Sequence, residues 1–469
     1  MKQLYKSCYP LDHRCYEEYH LTEDILMEHA SGGMAEYIKS HFKPQSSVLI
    51  VAGVGNNGAD GIVLARLLQD SYKVRLYIPF GVKSQMAKLQ LKRVQTLGIE
   101  IVNEPIESDI IVDAIFGAGL SRELDEKTRR LLVELEKLNG YKIACDIPTG
   151  IDESGNPSPT AFFANTTITM GALKEALYSD MAKDFVGDII CVNLGVSYEK
   201  YTHGFHSDLY LLEESDMKLP HRDWSKITHK GSFGHLAVLI GEKEGAGILC
   251  ASSALSFGAG LVTVVGEMFC SLPITIMHDL ILPTKTTAIA LGMGFGEDFD
   301  DDIVDDALSH KAPIILDADI FHSDRIVEFL EQKEREIVLT PHPKEFVSLW
   351  NTTIDEPINI AILQANRFDK VREFCSLFPN VTLLLKGANM IIGQNDRLFV
   401  NPHGDNKLSK GGSGDVLGGM IGALLAQGWS GLDSAIHASL ALTKSAKEYK
   451  GATFSMLPTD LIENLSKLK

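Results

Sequence analysis

Short apolar runs alternate along this chain with longer amphipathic segments, and no other feature constrains the fold as strongly. In the first half, the runs expected to form buried strands are 47–52, 74–78, 109–115, 142–145, 166–170 and 188–192. Most of the segments between them have helical spacing, which is typical of a parallel sheet covered by helices on both faces. The alternation therefore predicts an α/β protein with a doubly wound sheet.

A polar, aromatic and His-rich stretch at 197–225 interrupts the alternation and is expected to be a linker. The alternation then resumes, and the next expected strands are 235–240, 261–265, 287–291, 313–316, 336–339 and 381–385. A chain of 469 residues is also too long for one ordinary hydrophobic core. We therefore expect two α/β domains, 1–209 and 210–469.

Composition and charge narrow the possible partners and the compartment. The net charge of −18 argues against nucleic acid or an anionic membrane as the main partner, because both attract basic surfaces. The seven cysteines lack CxxC spacing, which argues against a disulfide framework and a zinc site. The N-terminus has no secretory h-region, and the most apolar stretch, 254–265, is too short to span a bilayer. We expect a cytoplasmic homo-oligomer that acts on small molecules.

A glycine-rich turn follows the first predicted strand and precedes a helix-like run. Gly53, Gly55 and Gly58 match G-x-G-x-x-G, a pattern in which the backbone approaches a pyrophosphate at a helix N-terminus. A dehydrogenase would place an acidic residue at the end of the next strand to bind ribose. That strand instead ends in Leu-Tyr-Ile-Pro-Phe at 76–80. The turn therefore predicts a nucleotide site, and NAD-linked redox chemistry is disfavoured.

Two further strands end in turns at what should be the same edge of the sheet. Asp113 lies in the first strand, and Asp146 and Thr149 follow the second. We expect them to converge with Asn57, because ligands of doubly wound sheets lie at the carboxyl ends of the strands. Oxygen donors without Cys or His favour a hard cation over zinc. For each residue alone, a structural role in a cap or turn is the alternative.

The motifs G-V-G-N-N-G-A-D-G, V-D-A-I-F-G-A-G and D-I-P-T-G-I-D occur in this order, and residues 1–205 thereby resemble the NAD(P)H-hydrate epimerase family, of Rossmann-like fold. The resemblance implies potassium bound by Asn57, Asp113 and Thr149, the last where Ser is usual. It also implies Asp146 as the acid–base residue. The implied contacts with the hydrated cofactor are Asn56, Asn57, Gly58, Ala59, Asp60, Gly117, Ala118, Gly119, Leu120, Ser121, Arg122, Glu123 and Asp146.

The strongest chemical signal of the second half is K-G-G-S-G-D-V-L at 410–417, which leads into a helical run that stops at Gly428. The amides of Gly412, Ser413 and Gly414 at a helix N-terminus would form an anion hole. Asp415 would then lie beside a transferring phosphate as a base. The alternative is a structural carboxylate at the positive end of the helix dipole.

Other strand ends point to the same pocket. Asp317 and Asp319 follow one apolar run, and the sequence leaves open whether they act in catalysis or as caps. His342 lies between two prolines that should exclude a helix there. Lys386 starts a glycine turn and could hold phosphate, the alternative being a surface lysine.

In this order, H-K-G-S-F-G-H, G-A-G-L-V-T-V, L-D-A-D, L-T-P-H-P-K-E, L-K-G and G-G-S-G-D-V-L make residues 226–469 resemble the NAD(P)H-hydrate dehydratase family, of ribokinase-like fold. Met390 departs from the family pattern, where Thr is usual. The implied contacts with ADP are Lys386, Gly387, Ala388, Asn389, Met390 and Gly414. The implied contacts with the hydrated nicotinamide nucleotide are Ala259, Gly296, His342 and Asp415.

Together the two resemblances imply a bifunctional family that repairs hydrated NADH and NADPH. The hydrated ring carries a hydroxyl on C6; the first domain would interconvert the R and S epimers, and the second would dehydrate the S epimer. Asp415 would take the hydroxyl proton, phosphate from ADP with Mg²⁺ would make the oxygen a leaving group, and the ring nitrogen would expel it. The alternatives are a ribokinase-like vitamin or sugar kinase, and an N-terminal module that only binds nucleotides or a partner.

Overall fold

The computed structural model describes residues 1–120, 122–224, 226–296 and 301–469. Apart from Met1, the chain divides into two compact units, Lys2–Ser207 and Asp208–Lys469. Each unit has its own buried apolar clusters. We call them the N-terminal unit and the C-terminal unit.

The N-terminal unit is a doubly wound parallel sheet. The unit begins with a short strand, β1 (Lys2–Leu4), which is not part of this sheet. The strands of the sheet are β2 (Ser47–Ala52), β3 (Lys73–Tyr77), β4 (Glu100–Val102), β5 (Ile110–Ala114), β6 (Tyr141–Cys145), β7 (Thr166–Met170) and β8 (Asp188–Val192). Its helices are α1 (Tyr9–Glu17), α2 (Glu23–His41), α3 (Asn56–Leu68), α4 (Gln85–Thr96), α5 (Glu126–Lys137), α6 (Lys183–Val186) and α7 (Tyr198–Thr202), with a 3₁₀ helix at Glu175–Tyr178. The sheet order is β4-β3-β2-β5-β6-β7-β8, so the winding reverses between β2 and β5.

The centre of this sheet is buried because β2 and β5 are mostly apolar and are covered on both faces, with Asp113 of β5 as a buried exception. α3 packs close to them: a Cβ at Gly61 would lie 2.6 Å from the Cβ of Ala114. The point where the winding reverses is where doubly wound sheets bind their ligands. The fold thus presents the ends of β2, β5 and β6, with the start of α3, to one edge.

The C-terminal unit is a mixed α/β sheet. Its strands are β9 (Leu209–Leu211), β10 (His235–Leu239), β11 (Leu261–Val265), β12 (Met277–Asp279), β13 (Ala288–Leu291), β14 (Ile314–Leu316), β15 (Ile337–Leu339), β16 (Val381–Leu385), β17 (Met390–Gln394) and β18 (Arg397–Asn401). Its helices are α8 (Glu244–Ser256), α9 (Asp301–Ser309), α10 (Ile326–Leu330), α11 (Pro343–Thr353), α12 (Ile360–Ala365), α13 (Arg367–Leu377), α14 (Ser413–Ala426), α15 (Gly431–Glu448) and α16 (Pro458–Leu465). Short 3₁₀ helices occur at Glu214–Asp216, Lys230–Phe233, Ala318–His322, Asn406–Leu408 and Thr453–Ser455.

The strands of this unit follow the order β9-β18-β17-β16-β15-β14-β13-β10-β11-β12. β17 pairs antiparallel with β16 and β18, and the other pairs are parallel. α14 is the most deeply embedded helix at the candidate site, with every residue buried except Gly414 and Asp415. In the described part of the chain, no helix has the length and apolar character needed to cross a membrane.

Three expectations about the elements need correction. The stretch 197–225 is not wholly a linker, because it contains α7 and β9, and β9 pairs with β18; Ser225 lies outside the described residues. β8 is not buried, since it is the last strand of its sheet and its residues are half-buried or exposed. A helix does begin beside His342: Pro343 is the first residue of α11, where a missing N–H costs nothing.

Candidate functional site

The glycine turn of the N-terminal unit is held by close backbone contacts. A Cβ at Gly53 would lie 1.9 Å from the carbonyl oxygen of Ile115, and one at Gly58 would lie 2.0 Å from that of Gly53. A Cβ at Gly55 would meet nothing within 4 Å. Gly55 also caps α3, which begins at Asn56. The turn is therefore fixed on its inner side and open where the helix N-terminus faces outward, as phosphate binding requires.

A cavity of about 680 Å³ opens at this edge of the sheet. The start of α1, the turn before α3, the turn after β5 and the ends of β6 and β7 all contribute to it. Its lining includes the predicted residues Asn56, Asn57, Asp60, Gly117, Ala118, Gly119 and Asp146. It also includes Cys8, Asp12, Glu153 and Lys174, which the sequence analysis did not single out.

Asp146 is held at the cavity by a buried ion pair. Its Oδ1 lies 2.7 Å from Nζ of Lys174, whose side chain is 3% exposed. Thr169 and the amide of Ala118 also donate to its carboxylate, and its backbone has a φ of 69°. Burial acts to raise the pKa of Asp146, but the charge and hydrogen bond of Lys174 outweigh it and bring the pKa below its usual range. Asp146 is thus a carboxylate that can accept a proton.

Lys174 is the functional residue that the sequence analysis missed. Burial acts to lower its pKa, and the Asp146 carboxylate more than reverses this, so the pKa is raised. Its ammonium also donates to Thr169 Oγ1 at 2.9 Å and to the carbonyl of Met170 at 3.1 Å. A lysine shortly after a buried strand was the available signal, and the same signal did identify Lys386.

Asp113 and Thr149 lie beneath the cavity rather than on its lining. The hydroxyl of Thr149 donates to Asp113 Oδ1 at 2.7 Å, its amide donates to Oδ2 at 2.8 Å, and the amide of Ile115 donates to Oδ1 at 3.1 Å. Asp113 is fully buried, which raises its pKa to about 6 against the effect of these hydrogen bonds. Among the described residues, none forms an ion pair with it.

These residues fit a bound potassium ion. A fully buried carboxylate without a cationic partner in the described chain calls for a counter-ion. Asn57 could join the set only through its amide oxygen Oδ1, because its buried Nδ2, which lacks a hydrogen-bond partner, is a donor and does not bind a cation. Carboxylate, hydroxyl and amide oxygens are the donors that a hard cation takes. When bound, potassium would neutralise Asp113 and order the Asn57 amide.

The remaining residues predicted to contact the hydrated cofactor lie elsewhere. Ala59 is buried beneath the turn, Gly58 packs on Gly53, and Leu120 is buried away from the cavity lining. Arg122 and Glu123 are exposed and do not line the cavity. Ser121 lies outside the described residues. Whether these residues touch the substrate stays a prediction.

In the C-terminal unit, the ends of β14 and β16 meet the start of α14. Nζ of Lys386 lies 2.6 Å from Oδ1 of Asp317, whose side chain is 2% exposed. A Cβ at Gly414 would lie 3.2 Å from the same Nζ. The space left by glycine thus lets the ammonium approach the N-terminus of α14. Asp317 is the counter-ion of Lys386, whereas Asp319 accepts a hydrogen bond from the amide of Gly296 at 2.8 Å.

Asp415 lies in the first turn of α14, where the amide groups are free. Gly412 caps the helix with a φ of 95°, a left-handed conformation that glycine favours. Burial, together with Asp317 and Asp319, raises the pKa of Asp415 to about 6, while Lys386 opposes the rise. A carboxyl with this pKa is mostly ionised at neutral pH and is more basic than an ordinary aspartate.

His342 is fixed by Glu345 through a reciprocal cap of α11. Its Nδ1 accepts from the amide of Glu345 at 3.1 Å, and its own amide donates to Oε2 of Glu345 at 2.7 Å. Burial and Lys386 lower the pKa of His342, so the ring is neutral at physiological pH. Burial, with Asp317, raises the pKa of Glu345 to about 7.

The other predicted residues of this unit are distributed around these groups. Gly387 and Ala388 follow Lys386, Asn389 is buried, and Met390 begins β17 and is buried. Arg367 supports this turn by donating to the carbonyls of Lys386 and Asn389. Ala259 is buried in the turn between α8 and β11. Gly296 has a φ of 84°, and Glu297–Asp300 after it lie outside the described residues.

The two units define an enzyme with two α/β domains, each carrying a candidate acid–base residue at the carboxyl edge of its sheet. Comparison with protein families matches residues 236–467 to the family described as NAD(P)H-hydrate dehydratase. Residues 23–176 match the family described as YjeF-related protein N-terminus. The predicted α/β architecture of both units, with a doubly wound parallel sheet in the N-terminal unit, is confirmed.

Curated relatives match along the whole chain. The bifunctional NAD(P)H-hydrate repair enzyme Nnr of Helicobacter pylori is 39% identical over 482 residues, which cover 100% of both chains. That of Coxiella burnetii is 32% identical, covering 96% of this chain and 95% of the relative. The chain therefore belongs to the family of bifunctional NAD(P)H-hydrate repair enzymes.

Among solved structures, the ADP/ATP-dependent NAD(P)H-hydrate dehydratase of Bacillus subtilis, co-crystallised with ATP and Mg²⁺, is 24% identical with a TM-score of 0.47. The match covers 56% of this chain and 98% of that chain.

Proposed function

We propose that the N-terminal unit interconverts the R and S epimers of hydrated NADH and NADPH, and that the C-terminal unit uses ADP to dehydrate the S epimer. The observation that carries the proposal is the state of two carboxyls. Asp146 is kept ionised by Lys174 in a cavity of the first unit, and Asp415 stands beside Lys386 and free helix amides in the second. The kinase alternative is not favoured, because the similarity to repair enzymes spans the whole chain.

In the N-terminal unit, the turn at 53–58 and the start of α3 would hold the phosphates. Asp146 would accept the proton of the C6 hydroxyl, and Lys174 would keep it ionised between turnovers. Asn57, Asp113 and Thr149 are the proposed potassium ligands. The close backbone contacts on the inner side of the turn support its role in phosphate binding, since the turn would not have to reorganise when the phosphates bind.

In the C-terminal unit, Asp415 would accept the proton of the C6 hydroxyl as that oxygen takes the phosphoryl group of ADP. The amides of Gly412, Ser413 and Gly414, with Lys386, would bear the phosphoryl charge. Across the described residues, no three His, Cys, Asp or Glu side chains form a metal cluster. Mg²⁺ is usually held by one or two carboxylates together with substrate phosphates, whose charge it would neutralise.

The test is to incubate the full chain with hydrated NADH, with ADP, with ATP and with neither. We expect absorbance at the NADH wavelength to recover with ADP, phosphate to be released, and the R epimer to be consumed after the S epimer. A stable phosphorylated product without recovery of absorbance would instead support a kinase. Failure to speed the exchange of separated epimers would reduce the N-terminal unit to a binding module.

We also propose a cytoplasmic location and a homo-oligomeric state. The seven free cysteines support the first, because a reducing compartment keeps thiols reduced. Sedimentation of the full chain would measure the second.

A further inference from the structure

Of the three aspartates that line the cavity of the N-terminal unit, Asp146 and Asp60 have opposite surroundings. Asp146 receives Lys174 and other donors. The carboxyl of Asp60, in α3, receives no hydrogen bond and no ion pair from the described residues; only its backbone carbonyl is engaged, by Ser31 Oγ at 2.9 Å. One wall of the cavity thus presents a paired carboxylate and another presents an unpaired carboxyl.

Burial and the neighbouring negative charges both favour the protonated form of Asp60. Burial raises the pKa of Asp60 well above its usual range, and the negative charges of Asp146, Asp12 and Glu23 raise it further. The ionisable groups that interact electrostatically with Asp60 are Asp12 and Tyr16 of α1, Glu23 of α2, and Cys145 and Asp146 at the end of β6. The nearby cation, Lys174, is committed to Asp146.

We propose that Asp60 is the proton donor of the epimerisation, acting on N1 of the hydrated ring while Asp146 takes the proton of the C6 hydroxyl. This assignment rests on the proposed function of the N-terminal unit. C6 carries a hydroxyl and is bonded to N1, so it can lose and regain its configuration when the C6–N1 bond breaks. Breaking that bond needs an acid for the nitrogen and a base for the hydroxyl, and the cavity contains one of each.

The step balances without a further reactant. The hydroxyl proton passes to Asp146, the C6–O bond becomes a carbonyl, and the electron pair of the C6–N1 bond goes to N1, which takes the proton of Asp60. Rotation about the C5–C6 bond then presents the other face of the aldehyde. On closure N1 attacks C6, Asp60 recovers the proton from N1, and Asp146 returns its proton to the oxygen. Nothing is oxidised or reduced.

Other acidic groups of the cavity are less suited to this role. Burial raises the pKa of Asp12 as well, but its carboxyl is engaged by a hydrogen bond from the hydroxyl of Tyr201 at 2.6 Å, so it is not an unpaired acid like Asp60. The Sγ atom of Cys8 is 3.8 Å from the carbonyl oxygen of Ala172. Burial raises the pKa of this thiol above its usual range, which makes it a weak acid. Glu153 is exposed and therefore has no buried environment to hold its proton. Asp60 combines burial, access to the cavity and an unpaired carboxyl.

The test compares Asp60→Asn with Asp60→Glu in the full chain. Asparagine matches the shape of a protonated aspartate, so the fold and the dehydratase activity should persist. We expect the catalysed exchange of separated R and S hydrates to fall by about 10²–10⁴-fold in Asp60→Asn. Asp60→Glu restores an acid and should regain part of the rate. Asp70→Asn, an exposed change of the same charge just after α3, is the matched control.

The pH profile and an oxygen label make the assignment specific. Wild-type epimerisation should decline as the pH rises through the raised pKa of Asp60, and Asp60→Asn should lose this decline. In H₂¹⁸O, opening of the C6–N1 bond predicts that epimerised product retains its C6 oxygen. An Asp60→Asn rate above a tenth of wild type, or label uptake in step with epimerisation, would overturn the inference. If wild type itself fails to speed epimerisation, it is the proposed function that fails.

Discussion

Asp415 shows how the position of a residue in a helix can serve chemistry. Every other residue of α14 except Gly414 is buried, so the helix leaves partly exposed only the two residues of its first turn that are proposed to meet the phosphate. The burial of its neighbours and the charge of Asp317 make this carboxyl a stronger base than an ordinary aspartate. The same features predict how the residue should respond to substitution and to pH.

We expect Asp415→Asn to lower dehydration by about 10²–10⁴-fold, the usual loss when a general base is removed. ADP binding, epimerisation and the melting curve should change little, because asparagine keeps the size and most hydrogen bonds. Steady-state assays of both activities measure this. A purely structural Asp415 would contribute about 0.3–1 kcal/mol, mainly to stability. Retention of more than a tenth of the dehydratase rate would therefore refute its role as the base.

The pH dependence of dehydration should follow the proton on Asp415. A base acts only when ionised, so kcat/KM should rise as the pH increases through about 6, the pKa of Asp415. Asp415→Asn should flatten this limb of the profile. Measuring the wild-type and variant profiles between pH 5 and 8, in steps of about 0.5 unit, covers the expected transition. A wild-type limb unchanged by the substitution would assign it to another group.

Lys174→Met leaves Asp146 without its cation. Removing one partner of a buried ion pair typically costs about 3–5 kcal/mol in the free energy of unfolding. The pKa of Asp146 is lowered in the folded state, so the pair stabilises above the unfolded pKa and this stabilisation is lost as the pH falls through the folded pKa. Urea unfolding should thus show a gap between wild type and variant that narrows in acid. A gap independent of pH would contradict the pairing.

At the scale of elements, the sequence predicted most of the strands that are buried at the centre of the two sheets but missed β9, β17 and β18. β2, β5 and β7 were evident because both faces of each strand are buried. β9 escaped notice since its three residues lie in a polar stretch and find their partner, β18, far along the chain. β17 and β18 form a hairpin shortly after Lys386. The sequence analysis interpreted this region as a glycine turn and did not predict the two strands.

The candidate sites divide in the same way. Asp146 and Lys386 could be predicted from the sequence because each follows a buried strand, and such a position is evident from the order of residues alone. That Lys174 pairs with Asp146, and Asp317 with Lys386, follows from where their strands lie in the two sheets, which only the sheet orders reveal. Two prolines around His342 suggest, from sequence alone, that no helix forms there. A proline is nevertheless favourable at the first position of a helix, and so His342 can cap α11.

The close packing of α14 against α8 at a glycine can be tested by substitution. A Cβ at Gly419 would lie 2.0 Å from the carbonyl oxygen of Cys250 in α8, and backbone cannot easily yield. Gly419→Ala should therefore destabilise the C-terminal unit by about 1–3 kcal/mol. Gly245→Ala, at the start of α8 where a Cβ would meet nothing within 4 Å, is the control and should not lower stability. Equal melting temperatures for the two variants would disprove the close packing.

At the scale of the whole molecule, the two units should respond separately to potassium. If Asp113 holds the ion, replacing K⁺ by tetramethylammonium should lower the melting temperature of the N-terminal unit, because a ligand that binds only the folded state stabilises it. Asp113→Asn should abolish this K⁺ dependence and reduce epimerisation while dehydration continues. Differential scanning calorimetry and both assays test this. An undiminished K⁺ effect in Asp113→Asn would remove Asp113 from the ligand set.

The position of β9 also determines where the chain can be cut. The first motif of the dehydratase family begins at His229, but β18 pairs with β9, and its Leu398 amide donates to the carbonyl of Asp208 at 2.8 Å. A fragment that begins at residue 229 would lack β9. The backbone N–H and C=O groups along the edge of β18 would then be unpaired, and such edges pair with other chains. Expressed alone, it should aggregate more in light scattering than a fragment begun at 208, which keeps the pairing of β9 with β18. The folded unit of this half therefore begins before the first motif of the family, and a gene fusion or split should keep the residues from 208 onward together.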